Sequence, residues 1–125
     1  MSASVVISTL RLFPSREQRR LLQGVLRSIQ GPTQAQPRCL HCRLYEEDGC
    51  EETVLYVEQW ESEADLQRHI RSDSYRRILE AMELSRRSPE VAFHSVSATA
   101  GMELIEALRG AAGAAAELRE IRASE

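Results

Sequence analysis

The sequence lacks several features that would assign it to a function class. It has no lysine, so all 16 basic residues are arginine, and its 19 acidic residues give a net charge of −3. Neither the positive nor the negative charges form a continuous block along the chain. Nucleic-acid binding needs a concentrated basic face to neutralise phosphates, so no nucleic-acid partner is predicted.

A long apolar run is also missing. No stretch approaches the roughly 20 apolar residues that span a bilayer, and the first residues lead into a strand pattern instead of a signal peptide. We therefore expect a cytoplasmic protein with no membrane partner. The 125 residues fit a single domain, and a composition of 42% hydrophobic and 28% charged residues is that of a globular chain.

Cysteine is scarce, and its spacing gives little support to a metal site. An odd count of three, Cys39, Cys42 and Cys50, argues against a disulfide framework. Cys39, His41 and Cys42 are residue types that bind zinc. On a regular strand, however, residues 39 and 42 point to opposite faces, and the chain has no second pair. No metal is predicted, and no base or helix start is evident beside a cysteine to make it a nucleophile.

The remaining pattern alternates between strand and helix signals. Strands are predicted at residues 4–12, 38–47, 53–60 and 91–98; one helix is expected from Ser15 to Gly31-Pro32, and a second begins after Ser62 and breaks at Ser72-Asp73. The order β-α-β-β-α-β is the ferredoxin-like arrangement. It predicts an α+β fold in which helices cover one face of a four-stranded antiparallel sheet. This domain is expected to occupy residues 1–109, and the alanine-rich residues 110–125 to form a helical tail with a frayed end.

The central strands are apolar on both sides. In the third strand, Tyr56 and Trp60 share one side, whereas Leu55 and Val57 lie on the other. Two helices cover only one face, and soluble monomers rarely expose a large apolar surface. We therefore expect a homodimer formed through the open sheet face. A C-terminal helix folding back over that face is the alternative.

Candidate site residues cluster where the third strand meets the second helix. His69 follows Leu66 by three positions, so both share the inward arc of that helix, and an imidazole there could act as a general base. The alternative is a histidine that serves packing alone. Trp60, the only tryptophan, would form a pocket wall or fill the core.

Three further residues could contact a substrate. Tyr56 and Glu58 share the strand face of Trp60, and Tyr75 lies just after the helix break. Either tyrosine could orient a substrate oxygen. A buried carboxylate needs a partner, so Glu58 is expected to pair with an arginine or to lie at the pocket rim. His41 and His94, on strands, are expected to be surface or core residues and not catalytic.

Several short motifs resemble those of one known family. Residues 56–62, Tyr-Val-Glu-Gln-Trp-Glu-Ser, followed by Leu66 and His69, resemble the antibiotic biosynthesis monooxygenase (ABM) domain, and in particular its quinol monooxygenase branch. Residues 39–45, 72–75 and 101–105 are similar to that family as well. The resemblance extends over residues 4–109.

The resemblance implies a dimeric α+β barrel with a pocket between the sheet and helices of each subunit. It implies oxygenation of a small phenolic or quinol-type aromatic by O2 without metal, flavin or haem, so no cofactor is expected. The alternative is a non-catalytic ligand-binding or interaction module of the same fold. Tyr56 stands where one polyketide-oxygenating branch has asparagine. Haem degradation is not expected, because that branch needs a histidine near Leu79 and has a tryptophan at the place of His69.

Overall fold

A computed structural model of the chain describes residues 4–110. Within them the elements are β1 (Val5–Leu12), α1 (Arg19–Gln34), β2 (Cys39–Glu47), β3 (Cys50–Trp60), α2 (Glu63–Arg71), α3 (Tyr75–Glu83), β4 (Glu90–Val96) and α4 (Met102–Arg109). The strands form one antiparallel sheet in the order β2-β3-β1-β4. The predicted second helix is divided into α2 and α3, as its Ser72-Asp73 break indicated. The ferredoxin-like α+β arrangement is therefore confirmed.

One face of the sheet packs against the apolar sides of α1 and α3. This arrangement buries the apolar stripe that the helical period produces on each helix. Leu21 lies outside the buried stripe of α1, since it is 58% exposed. Gln23 is buried instead, and its amide donates a hydrogen bond to Glu46 (2.8 Å). The fully buried apolar core includes Leu12, Leu22, Leu26, Val54 and Ile78.

The ends of α1 differ from the prediction. The Ser15 hydroxyl accepts a hydrogen bond from the Gln18 amide (3.2 Å), as expected for a cap, but the regular helix begins only at Arg19. At the other end, α1 continues through Pro32 to Gln34. A proline in the last turn removes only one of the helix hydrogen bonds. Thr33, next to it, is only 1% exposed, so packing against the core favours continuation of that turn.

The hairpin between β2 and β3 is longer than predicted. β3 begins at Cys50 instead of Thr53, because Cys50 pairs with Glu47 across the Asp48-Gly49 turn. Gly49 has φ +76°, a conformation that glycine adopts without steric cost. β4 runs over Glu90–Val96 and so ends two residues before the predicted limit.

A β-bulge at the start of β2 changes which face its cysteines occupy. The register shifts between Cys39 and His41, so Cys39 lies opposite Trp60 and Cys42 lies opposite Glu58. Both cysteines therefore face the helix layer, and the prediction that they point to opposite faces is wrong. The physical reason is the extra residue, since a bulge leaves one side chain out of the alternation. Leu40 is that residue, and it is 47% exposed.

The second face of the sheet is not covered by α1, α2 or α3. It carries Ile7, Leu55 and Val57, which are partly exposed. α4 does not bury its own apolar side chains, since they remain 48–78% exposed; they are Met102, Leu104, Ile105 and Leu108. Across residues 4–110, no helix thus covers this face, and the predicted helical tail beyond residue 110 lies outside the described residues.

Candidate active site

The candidate site is built by the end of β3 and by α2. Alternation along β3 places Glu58 and Trp60 on the helix-facing side. The turn after Trp60 is short because Ser62 caps α2, with its hydroxyl accepting a hydrogen bond from the Asp65 amide (3.2 Å). One turn further along α2, His69 lies above the two strand residues. The sequence thus predicted the cap and the inward direction of His69 correctly.

Glu58 joins the other two residues through its two oxygens. Its Oε1 accepts a hydrogen bond from the Trp60 indole Nε1–H (3.0 Å), and its Oε2 lies 3.1 Å from His69 Nε2. The side chains of Glu58 and His69 are 2% and 0% exposed. The expectation of an arginine partner or a rim position for Glu58 is wrong. The partners come from its own strand and from α2, which tertiary packing brings over the sheet.

The carboxylate determines which nitrogen of the imidazole carries the proton. An ionised carboxylate only accepts hydrogen bonds, so a neutral His69 must present its N–H from Nε2. Its Nδ1 is then an acceptor with a free lone pair. This atom is buried and has no hydrogen-bond partner among the described residues. Buried polar atoms are almost always paired. An imidazole with one nitrogen held by a carboxylate and the other nitrogen unpaired is the arrangement expected of a general base that accepts a proton from a substrate.

Aromatic rings enclose the imidazole on two sides. The centroid of Trp60 lies 4.7 Å from that of His69 with the planes tilted by 34°, and Tyr75 meets His69 edge-on at 5.4 Å. Tyr75 is half-buried, whereas Glu58, Trp60 and His69 are buried. Burial, and secondly the charge of Glu58, raise the pKa of the Tyr75 hydroxyl. It therefore stays protonated at neutral pH and can donate a hydrogen bond.

Tyr56 shares the face of Glu58 but contacts a different group. Its hydroxyl accepts a hydrogen bond from the Cys42 thiol (3.1 Å). Burial, followed by the charge of Glu58, raises the Tyr56 pKa far above its ordinary value. The structure thus brings together four of the five predicted site residues, while Tyr56 lies beside them in a pair with Cys42. Sequence reasoning missed Cys42 because the bulge determines its face.

We expect Cys42 to resist alkylation in the folded protein. Burial raises the pKa of its thiol to about 12, so about 10⁻⁴ of it is thiolate at pH 8, and the thiolate is the nucleophile. Iodoacetamide treatment at pH 8 followed by peptide mass spectrometry should find Cys42 unmodified and the half-buried Cys50 modified. In urea both should react. Labelling of Cys42 as fast as Cys50 in the folded protein would contradict its burial.

Among the described residues, Cys39 and Cys42 are not joined by a third residue that could bind a metal with them. His41 lies on the opposite face of β2, where its Nε2 is 2.9 Å from the Tyr45 hydroxyl. Within residues 4–110, no group of three or more histidine, cysteine, aspartate or glutamate side chains is placed to hold a metal ion.

Sequence reasoning also missed a charged cluster beside Trp60. Asp65 is 2% exposed at its side chain, and its Oδ1 lies 3.1 Å from Arg68 and 3.6 Å from Arg38. The Ser62 hydroxyl, and then the two arginines, hold the pKa of Asp65 below its ordinary value. The three-residue spacing of Asp65 and Arg68 on one helix was readable from the sequence. The approach of Arg38 depends on the α1–β2 connection, which only the tertiary structure places.

The fold and the site together describe a ferredoxin-like domain with a buried carboxylate–imidazole pair between its sheet and its helices. The family model described as antibiotic biosynthesis monooxygenase matches residues 5–81, which is more than half of the chain. The chain therefore belongs to the antibiotic biosynthesis monooxygenase (ABM) family. The matched segment contains all five predicted site residues.

Solved structures agree with this assignment of the fold. The Mycobacterium tuberculosis protein Rv0793 is 25% identical, with a TM-score of 0.71 over 78% of this chain and 100% of its own. A conserved protein from Methanosarcina mazei is 20% identical, with a TM-score of 0.69 over 74% of this chain and 92% of its own. PA3566 from Pseudomonas aeruginosa is 18% identical, with a TM-score of 0.68 over 78% and 99%. None of the curated proteins matches the chain.

The helices in the described part of the chain do not include one with the length and apolarity needed to cross a bilayer.

Proposed function

We propose that this protein is a cofactor-independent monooxygenase that oxidises a small phenolic or quinol-type aromatic with O2. In this proposal it is an oxidoreductase that works as a homodimer in the cytoplasm. His69 is the general base, Glu58 orients it, Trp60 forms the wall against its ring, and Tyr75 orients the substrate oxygen. Tyr56, which shares the strand face of Glu58, is a further substrate-contacting residue in this proposal.

One observation carries this proposal. His69 Nδ1 is buried and unpaired while Nε2 is held by Glu58. A histidine that served packing alone would gain stability by pairing both nitrogens, since a buried unpaired polar atom costs about 1–3 kcal/mol. Membership of the ABM family supports the same reading, because it is the family whose name describes this class of reaction.

Proton removal is the step that these residues can accelerate. Triplet O2 reacts slowly with a neutral closed-shell phenol, whereas a phenolate can transfer one electron to it. His69 Nδ1 accepts the phenolic proton, and the resulting imidazolium is stabilised by the Glu58 carboxylate 3.1 Å from Nε2. The Tyr75 hydroxyl, which remains protonated, can donate a hydrogen bond to the substrate oxygen. The low exposure of the site keeps water away from the radical pair.

The overall reaction balances without an external reductant. The phenolate transfers one electron to O2, and the two radicals combine by forming a C–O bond at a ring carbon. The proton held by His69 completes a hydroperoxide. Loss of the hydrogen on that carbon as a proton then breaks the O–O bond, leaving a carbonyl oxygen on the carbon and releasing water. A naphthalenediol would give a hydroxynaphthoquinone plus water, because the ring supplies all four electrons that O2 accepts.

A non-catalytic module of the same fold is the second candidate. The close burial of Glu58, Trp60 and His69 favours it, because the two hydrogen bonds of Glu58 could stabilise the core without any substrate. The two candidates differ in whether O2 is consumed.

Oxygen uptake tests the proposal directly. A panel of naphthalenediols and other phenols would be assayed with an oxygen electrode for the unmodified protein, His69→Ala and Gln67→Ala. We expect uptake with at least one member and a loss of about 10²-fold or more for His69→Ala only, since general-base catalysis contributes 10²–10⁴. Gln67, exposed on the same helix as His69, is the matched control. Absence of uptake across the panel would favour the binding module.

The proposed dimer gives a separate expectation. Val57, partly exposed at the centre of the open sheet face, pairs with Thr9 and Arg43 on the neighbouring strands. A glutamate at this position would bury a charge in a sheet-to-sheet interface. Analytical ultracentrifugation should therefore find about twice the 14.1 kDa chain mass for the unmodified protein and a shift to one chain for Val57→Glu. Leu79→Glu, on the exposed side of α3, should leave the mass unchanged; a monomeric unmodified protein would refute the dimer.

A further inference from the structure

A cleft of about 370 Å³ lies on the side of Trp60 formed by the α1–β2 connection and α2. Its walls are Gln36, Pro37, Arg38, Trp60, Asp65 and Arg68. The volume is within the range of small-molecule sites, which begins at about 300 Å³. Trp60 is the member of this wall that also contacts the Glu58–His69 pair.

The charge of the cleft is opposite to that of the chain. Arg38 and Arg68 approach the same oxygen of Asp65, so two positive charges face one negative charge. The other three walls are uncharged, whereas the whole chain has a net charge of −3. The two arginine side chains are 62% and 70% exposed, so most of their N–H donors remain available to a ligand. The buried Asp65, fixed by Ser62, accepts a hydrogen bond from Arg68 (3.1 Å) and lies 3.6 Å from the Arg38 guanidinium.

The geometry points to a binding site for the carboxylate of an aromatic acid. The guanidinium fork matches a carboxylate in shape and charge. The exposed Pro37 provides apolar surface for a ring, and the buried edge of Trp60 closes the cleft behind it. This inference deepens the proposed function and rests on it in one respect, namely that the aromatic acid is the substrate of that oxygenation. Arg38 and Arg68 are then specificity-determining residues that select an acidic phenol over a neutral one.

Matched ligands test the inference without turnover. A naphthalenediol carboxylic acid and its primary carboxamide have the same shape and differ in charge. Binding would be measured anaerobically by calorimetry and by quenching of Trp60, whose fluorescence reports on the cleft because it is the only tryptophan. We expect the acid to bind about tenfold more tightly than the carboxamide at low salt, with the preference shrinking at high salt.

Arginine variants show whether the preference comes from this cleft. Arg38→Gln and Arg68→Gln should each reduce the acid-to-carboxamide preference about fivefold while changing carboxamide binding less than twofold. Arg71→Gln, on the same helix but outside the cleft wall, is the matched control and should retain the preference. Equal binding of acid and carboxamide by the unmodified protein would overturn the inference, and this measurement needs no variant to fold. A preference that survives in both cleft variants would also overturn it.

Failure of the inference and failure of the proposed function give different results. If the acid binds preferentially but neither it nor any phenol of the panel drives O2 uptake, the oxygenase proposal fails while the carboxylate site stands. If acid and carboxamide are bound and oxidised equally well, the oxygenase proposal stands and the carboxylate site fails. If the acid is both preferred and oxidised, both are supported.

Discussion

Replacing Glu58 with glutamine is expected to lower kcat/KM for O2-dependent oxidation about 10³-fold, within the range that general-base catalysis contributes. The substitution preserves shape and removes one charge. Trp60 Nε1–H requires an acceptor at the position of Oε1, so the glutamine oxygen should remain there. The amide nitrogen then faces His69 Nε2 and donates to it. The proton of the imidazole must move to Nδ1, and the base is lost.

The tautomer can be observed independently of activity. Nitrogen-15 NMR of the histidine ring should find the proton of His69 on Nε2 in the unmodified protein and on Nδ1 in Glu58→Gln. Glu61→Gln is the matched control, because Glu61 is exposed and close in sequence. We expect it to change neither the tautomer nor the rate. Full activity in Glu58→Gln, or an unchanged His69 tautomer, would contradict the assigned role of Glu58.

Trp60→Ala is expected to destabilise the folded protein by about 3–5 kcal/mol, the usual cost of truncating a buried large aromatic residue. Trp60 is 2% exposed and packs with Val6, Leu66 and His69. The truncation leaves a cavity in this cluster and also removes the indole donor from Glu58. Urea unfolding monitored by circular dichroism, with linear extrapolation, would measure the change.

Trp60→Phe separates the hydrogen bond from the packing. It keeps most of the ring volume but leaves Glu58 Oε1 without its donor, which should cost about 1–3 kcal/mol. The matched control is Leu79→Ala on α3, whose side chain is 49% exposed and should change stability by less than about 0.5 kcal/mol. A Trp60→Ala effect as small as that of Leu79→Ala would show that the indole is not part of the core.

Local sequence patterns predicted which helices and strands form, but they were less accurate for the residues at which each one begins and ends. Alternation in β3 placed Tyr56, Glu58 and Trp60 on one face, and the Ser62 cap located the start of α2. These features depend on residues that are neighbours in sequence. The end of α1 was missed because burial of Thr33 outweighs the local effect of Pro32.

In the candidate site, too, the sequence predicted some features and the tertiary structure decided the others. The family resemblance and the inward arc of α2 selected His69, and the strand face selected Glu58 and Trp60, so the residue types were available from the sequence. The hydrogen bonds that join these residues could not be predicted from the sequence. Glu58 was expected to pair with an arginine or to lie at the pocket rim. Its partners are instead an indole and an imidazole, because a carboxylate is satisfied by any donors that packing brings within reach.

The sequence by itself determined the α+β order, the family and the residues that can perform acid–base chemistry, since these depend on side-chain type and on periods of 2 and 3.6 residues. Only the tertiary structure decided that a bulge turns Cys39 and Cys42 to one face, that Glu58 holds His69 Nε2, and that Arg38 meets Arg68 at Asp65. Each of these depends on how separate secondary-structure elements approach one another. Packing of the helices on the sheet fixes the distances between them, and no local pattern encodes those distances.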